Sequence, residues 1–228
     1  MSTAAWRCGS LAHPVAGTLR RVPSLLLDLL LPERCAACGR PGRGLCRTCL
    51  RAAAGLRTGD GAPARLAPGV LALAPFVYDG VIARAIRSVK RPGRHAAAVW
   101  LGELLWAEMT PRLGVTATWP RTWVPSTRAR LRARGAEIPR LLAGPDARGL
   151  LWRVRQVGEQ KLRGARERRR GPMGDFRCDQ QIRGGVVIVD DVRTTGATAA
   201  AAAAALREAG AHRVLTITLA VVRNPNEL

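Results

Sequence analysis

The stretch VVIVDDVRTTGAT, residues 186–198, sets four apolar residues before two aspartates, then places three threonines around a glycine. A continuous apolar run of this kind suits a central parallel strand covered on both faces. Asp190 and Asp191 then fall at its carboxyl end, where open α/β sheets bind their ligands. Residues 193–198 join the strand to the next helix. The free N–H groups and the dipole at a helix N-terminus favour an anion, typically phosphate. Thr194, Thr195 and Thr198 add hydroxyl donors, and Gly196 lets the backbone approach the anion. The two carboxylates suit sugar hydroxyls, or a Mg²⁺ ion held with them. An ordinary strand-to-helix turn also uses Thr and Asp as helix caps. One cap, however, does not account for paired carboxylates beside three threonines. Sugar and phosphate together predict a ribose 5-phosphate ligand.

The neighbouring residues place this loop in a fold. GATAAAAAAALREAGA (196–211) predicts a helix, because Ala is the best helix former and Gly210 a natural stop. RVLTITLAVV (213–222) predicts another strand. Strand, helix and strand with short connections form a βαβ unit with parallel strands. Upstream, VLALAPFVY (70–78) reads as a strand that Pro75 confines to an edge or a bulge. Residues 80–90 and 96–109 read as helices. TWVP (122–125) reads as a short buried strand, and 128–144 as loop and helix disturbed by Pro139. The expected class is α/β, a Rossmann-like parallel sheet with helices on both faces.

The 228 residues carry a net charge of +21, and only Lys90 and Lys161 among the cationic residues are lysines. Arginine-rich genome composition and a polyanion partner both account for such a charge. Residues 128–170 hold fourteen Lys and Arg against four acids, so the charge is concentrated. The most apolar early run, LLLDLLL (25–31), is too short to span a membrane and is interrupted by Asp28. The chain therefore reads as lacking a membrane span and as cytoplasmic.

CAACGRPGRGLCRTC (35–49) spaces Cys35, Cys38, Cys46 and Cys49 as two CxxC knuckles seven residues apart. Two knuckles complete a tetrahedral site for structural Zn²⁺. An iron–sulfur cluster or four metal-free core cysteines are the other readings. Residues 1–23 read as an irregular N-terminal segment, 24–54 as a zinc-ribbon-like four-cysteine domain, 55–69 as a Gly- and Pro-rich linker, and 70–228 as the main domain. His13, His95 and His212 are isolated and receive no role.

VVIVDDVRTTGAT resembles the PRPP-binding motif of type I phosphoribosyltransferases. The resemblance implies that Asp190 and Asp191, the catalytic pair, bind the ribose hydroxyls of PRPP. It implies that Arg193, Thr194, Thr195, Gly196, Ala197 and Thr198 cradle the 5-phosphate, with Mg²⁺ accompanying PRPP. Arg193 stands where that motif has an apolar residue. It adds a cation near the phosphate or points away to solvent. Together with the cysteine cluster, LLDLLLPERCAACGRPG (26–42), FVYDGVIARAIRSVK (76–90) and VPSTRARLRARG (124–135) resemble the ComF family, whose members are tied to natural competence. The resemblance covers residues 24–223. Lys90 and Arg91 follow a helix in the first half of the fold, where they are candidates to hold pyrophosphate; a solvated helix end favoured by the dipole is the plainer reading of both. The resemblance departs at AEI (136–138), where the family has an aromatic, Asn and Gln, and again at 156–176. Two functions follow as expectations. One is Mg²⁺-dependent phosphoribosyl transfer in nucleoside or nucleotide metabolism. The other is non-catalytic binding of PRPP or a nucleotide while acting on single-stranded DNA with the DNA-uptake machinery.

Overall fold

In the computed structural model, residues 33–154 and 174–223 are described. The chain divides after Pro32, and all the described residues belong to the unit that begins at Glu33. The segment expected to be irregular (1–23) and the helix expected at 25–31 lie outside the described residues.

The centre of the molecule is the βαβ unit. Strand β7 (Gly184–Arg193) leads into helix α6 (Ala197–Glu208), and the chain returns as strand β8 (Ala211–Val221). The two strands pair in parallel from Gly184 opposite Ala211 to Arg193 opposite Val221. On one side of this pair lies β4 (Arg121–Trp123), parallel to β7. On the other lie β2 (Val70–Leu73) and β3 (Phe76–Val77), both parallel to β8. Strand β1 (Ala64–Ala67) closes the edge, antiparallel to β2. The order across the sheet is β1-β2-β8-β7-β4, with β3 continuing beside β8.

Alternate residues of β7 feed two separate cores. Val187 and Val189, with Leu215, Ile217 and Leu219 of β8, face helices α2 (Gly80–Val89), α3 (His95–Leu113) and α5 (Ile138–Ala143). Val186 and Ile188 face α6 and the short hairpin-like pair β5 (Trp152–Arg153) and β6 (Phe176–Arg177). The expected helices on both faces are therefore present. Ala201, Ala202, Ala203 and Ala205 of α6 are all buried, and their small side chains let this helix lie close to the sheet. Burying such a continuous apolar strand contributes roughly 25 cal/mol per Å² removed from water.

Two differences from the sequence reading concern residues 55–78. The strand expected at 70–78 is split, because Pro75 cannot donate to a ladder. The break is filled by the preceding loop: Ala74 N–H donates to the Gly61 carbonyl (2.7 Å) and Thr58 N–H to the Pro75 carbonyl (2.9 Å). Residues 55–69, expected as a linker, contain that bonded loop and edge strand β1. Pro139 is not disruptive either. It occupies the first turn of α5, where a missing N–H costs nothing. A second short helix, α4 (Arg128–Arg134), precedes α5; Thr127 caps its start and Gly135, at φ +72°, ends it.

The cysteine segment shares the main core. Cys35, Ala36, Leu45, Cys49 and Ala53 are buried in the same cluster as α2 and α3. Gly44, at φ +61°, packs so closely on Trp100 of α3 that a Cβ would come within 1.9 Å of the ring. Among the described residues, no helix is long and apolar enough to cross a membrane.

Candidate functional sites

Strand β7 runs three residues beyond Asp190, so both aspartates lie within the paired strand and not past its end. Successive side chains of a strand point to opposite faces. Asp191 meets Lys90, which caps α2 on the first face, with Nζ 2.6 Å from Oδ2. Asp190 feels Lys90 as well, and then Arg153 of β5. Lys90 thus acts on both carboxylates, and Arg153 adds a further cation for Asp190. Asp191 N–H also donates to Asp190 Oδ1 at 2.8 Å.

These cations do not fully compensate Asp190. Burial, then the neighbouring Asp191 charge, lift its carboxyl to about 7; the Asp191 N–H, Lys90 and Arg153 pull the other way. A group in this condition gains from a ligand that hydrogen-bonds to or neutralises its ionised form. A sugar diol or a divalent cation does so.

The strand connections diverge at this point. The chain leaves β7 into α6 on one face of the sheet, and leaves β4 towards α5 on the other. Such a divergence opens a crevice beyond the carboxyl ends of the two strands. A cavity of about 760 Å³ lies beside it, lined by Trp123, Pro125, Ser126, Glu137, Trp152 and Arg153. Glu137 builds one wall. Its Oε2 accepts from Trp123 Nε1–H (2.9 Å) and its Oε1 from Ser126 N–H (3.0 Å). Arg153 is fixed by donating to the Pro125 carbonyl (2.9 Å), lies 3.7 Å from Asp175, and stacks over Phe176.

In the loop, Thr194, Thr195, Ala197 and Thr198 are exposed at the start of α6, where an anion would be received. Thr195 Oγ1 accepts from Ala197 N–H at 3.3 Å. Gly196 is buried and adopts φ +79°; a Cβ there would come within 2.5 Å of Leu66. The positive φ of this turn is what favours glycine here. Arg193 is buried and does not point to solvent. Its Nη2 donates to the Ala62 carbonyl at 2.5 Å, and its side chain lines a second cavity of about 730 Å³ with Arg65, Thr194, Thr195 and Arg223.

The second site is the cysteine cluster. The four Sγ atoms of Cys35, Cys38, Cys46 and Cys49 all lie within 4.8 Å of one another. Cys38 and Cys46 are 3.7 Å apart. Tetrahedral ligation at a Zn–S distance of about 2.3 Å needs sulfurs about 3.8 Å apart. The cluster can therefore hold a metal such as zinc. The knuckle backbone supports it: Gly39 N–H returns to the Cys35 carbonyl (2.9 Å), and Ala36 N–H bonds the Gly44 carbonyl (2.7 Å). Burial raises the Cys35 thiol, but N–H groups of Cys46, Cys38 and Ala37 outweigh it and bring it to about 6. Cys49 is pushed up, first by burial and then by its sulfur neighbours.

The structure brings Asp190, Asp191 and Lys90 together at the head of the loop, and the four cysteines around one point. Arg153 and Glu137 were not singled out in the sequence. Arg153 is one arginine among many, and Glu137 carried no signal beyond being an acid in a basic stretch. Of that stretch, Arg128, Arg130 and Arg132 are exposed on α4, while 155–170 lie outside the described residues. So do the divergent residues 156–173 and Cys8. Neither models of known protein families nor curated proteins give a match to this chain.

Proposed function

We propose that the chain is a ComF-like member of the type I phosphoribosyltransferase fold that binds PRPP, or a ribose 5-phosphate nucleotide, and carries out Mg²⁺-dependent phosphoribosyl transfer. The observation that carries this reading is the carboxylate pair at the end of β7, flanked by Lys90 and followed directly by an exposed, threonine-rich helix N-terminus. A ribose ring between these groups would place its hydroxyls on Asp190 and Asp191 and its 5-phosphate on Thr194–Thr198.

In that pose Lys90 is within reach of the diphosphate as well as of Asp191. In the transfer, the bond from ribose C1 to the diphosphate oxygen breaks and the diphosphate leaves with the electron pair. A bond from the acceptor's nucleophilic atom to C1 forms, and the acceptor's proton passes to water. Mg²⁺, when bound, neutralises charge on the departing diphosphate. The protein's own part is to orient the ribose and to hold developing charge, which needs no dedicated base.

A second reading keeps the ligand and removes the turnover: a nucleotide-binding protein that acts on single-stranded DNA. The exposed arginines of α4 favour it. Both are tested by melting the protein with PRPP and Mg²⁺. A rise in melting temperature in the wild type, absent in Asp190→Ala with Asp191→Ala, is the expected result. An equal rise in the double variant would overturn the site. Release of diphosphate on adding candidate bases then separates transfer from binding alone.

A further inference from the structure

A third cavity, of about 480 Å³, lies between the cysteine knuckle and α2, and neither Asp190 nor Asp191 lines it. We propose that it is a binding site for a compact polyphosphate, a ligand distinct from the ribose phosphate of the proposed function. Its walls are the knuckle backbone at Cys35–Ala37 and four arginines, Arg84, Arg87, Arg91 and Arg94, with Ser88 among them. No acid and no aromatic residue lines it.

The arginines converge by construction. Residues 84, 87 and 91 recur at helical spacing and share one face of α2 and its C-terminal extension. Arg84 and Arg87 lie one turn apart on α2, and Arg91 follows just past its C-cap, Lys90. Arg94 is already oriented. Its Nε and Nη2 donate to Ser88 Oγ (3.2 and 3.1 Å), and Nη2 also reaches the Cys35 carbonyl (3.3 Å). Among the described residues, no carboxylate forms an ion pair with Arg84, Arg87 or Arg91.

The helix dipole gives a plainer reason for cations at the end of α2. It accounts for Arg87 and Arg91, but not for Arg84 in mid-helix or for Arg94 held beyond it. The chemistry narrows the ligand. Guanidinium forks match phosphate oxygens two at a time. Converging arginines with no acid among them call for an anion of several charges. The volume is that of a small-molecule site. The missing aromatic platform argues against stacked nucleobases, and so against single-stranded nucleic acid.

The test is calorimetric titration of inorganic tripolyphosphate into the full chain at low salt. The variants are Arg84→Ala/Arg87→Ala/Arg91→Ala and, separately, Asp190→Ala/Asp191→Ala. All three arginines are exposed, so the first variant should fold. Binding about 100-fold weaker in the arginine variant, and unchanged in the aspartate variant, is the expected result. No binding by the wild type, or equal binding by the arginine variant, would overturn the site. An oligothymidylate that binds the wild type more tightly than tripolyphosphate and loses as much in the arginine variant would overturn the ligand. Loss of bound metal from the arginine variant would assign these residues to the metal centre instead.

Discussion

The cysteine knuckle and the carboxylate pair are both small polar sites, yet they are assembled in opposite ways. The knuckle draws its four ligands from Cys35 to Cys49, and hydrogen bonds within that segment set their positions. Its sulfurs lie within 4.8 Å of one another, and one pair, Cys38 and Cys46, stands at 3.7 Å, the separation a tetrahedral ion requires. The carboxylate pair takes Lys90 from α2, Arg153 from β5 and its own two acids from β7. Burial, and then the Asp191 charge, lift Asp190 to about 7 against the pull of those cations. A site built from one segment can be complete before the rest of the chain folds around it. A site built across the sheet exists only in the finished fold, and its remaining imbalance gives a ligand something to relieve.

The largest effect expected from this contrast is on the knuckle. Cys35→Ser with Cys49→Ser, or removal of metal with a chelator, should abolish about one equivalent of bound zinc by elemental analysis. Because Cys35 and Cys49 also belong to the main core, the melting temperature of the whole unit should fall steeply. Metal-binding free energies on the order of 10 kcal/mol are at stake in such sites. Retention of the wild-type melting temperature after metal removal would break the view that the knuckle is a structural centre.

The carboxylate pair should show itself through pH. Asp190 has a folded value raised above its unfolded one. The folded state therefore holds this proton more tightly, and the group's contribution to stability falls as pH rises from about 4 to about 7. Asp190→Asn should flatten that part of a melting-temperature profile. Affinity for PRPP with Mg²⁺, which needs the ionised pair, should rise through the same range. A pH-independent affinity would show that the pair does not contact the ligand.

The smallest effect expected is at Glu137. Replacing it with Ala removes two hydrogen bonds and leaves Trp123 Nε1 and Ser126 N–H without this acceptor. A loss of about 2 kcal/mol follows, or a fall of about 5 °C in melting temperature. A change in Trp fluorescence should accompany it. If stability is untouched, Glu137 is not what shapes the crevice wall.

Much of the fold was legible in the residues. The run Val186–Val189, the alanine helix and the apolar strand after it announce a parallel βαβ unit, because burial on both faces demands continuous apolar residues. The cysteine spacing announced a metal cluster for an equally local reason. The segment 55–69 was misread as a linker. Its order comes from Gly61, Thr58 and Ala62 bonding to residues distant in sequence, among them Arg193. Arg193 itself was read as a phosphate ligand or a solvent-facing side chain, since nothing local records that it is buried.

By itself, then, the sequence determined what neighbours in the chain decide: the strand–loop–helix, the two knuckles, and two adjacent acids before a threonine-rich turn. Only the tertiary structure decided which face each aspartate takes and which cation meets it. It also determined that Glu137 holds the crevice wall. The physical reason is range. Periodicity and spacing act within a turn or a strand, whereas charge balance and burial depend on what the whole fold brings together.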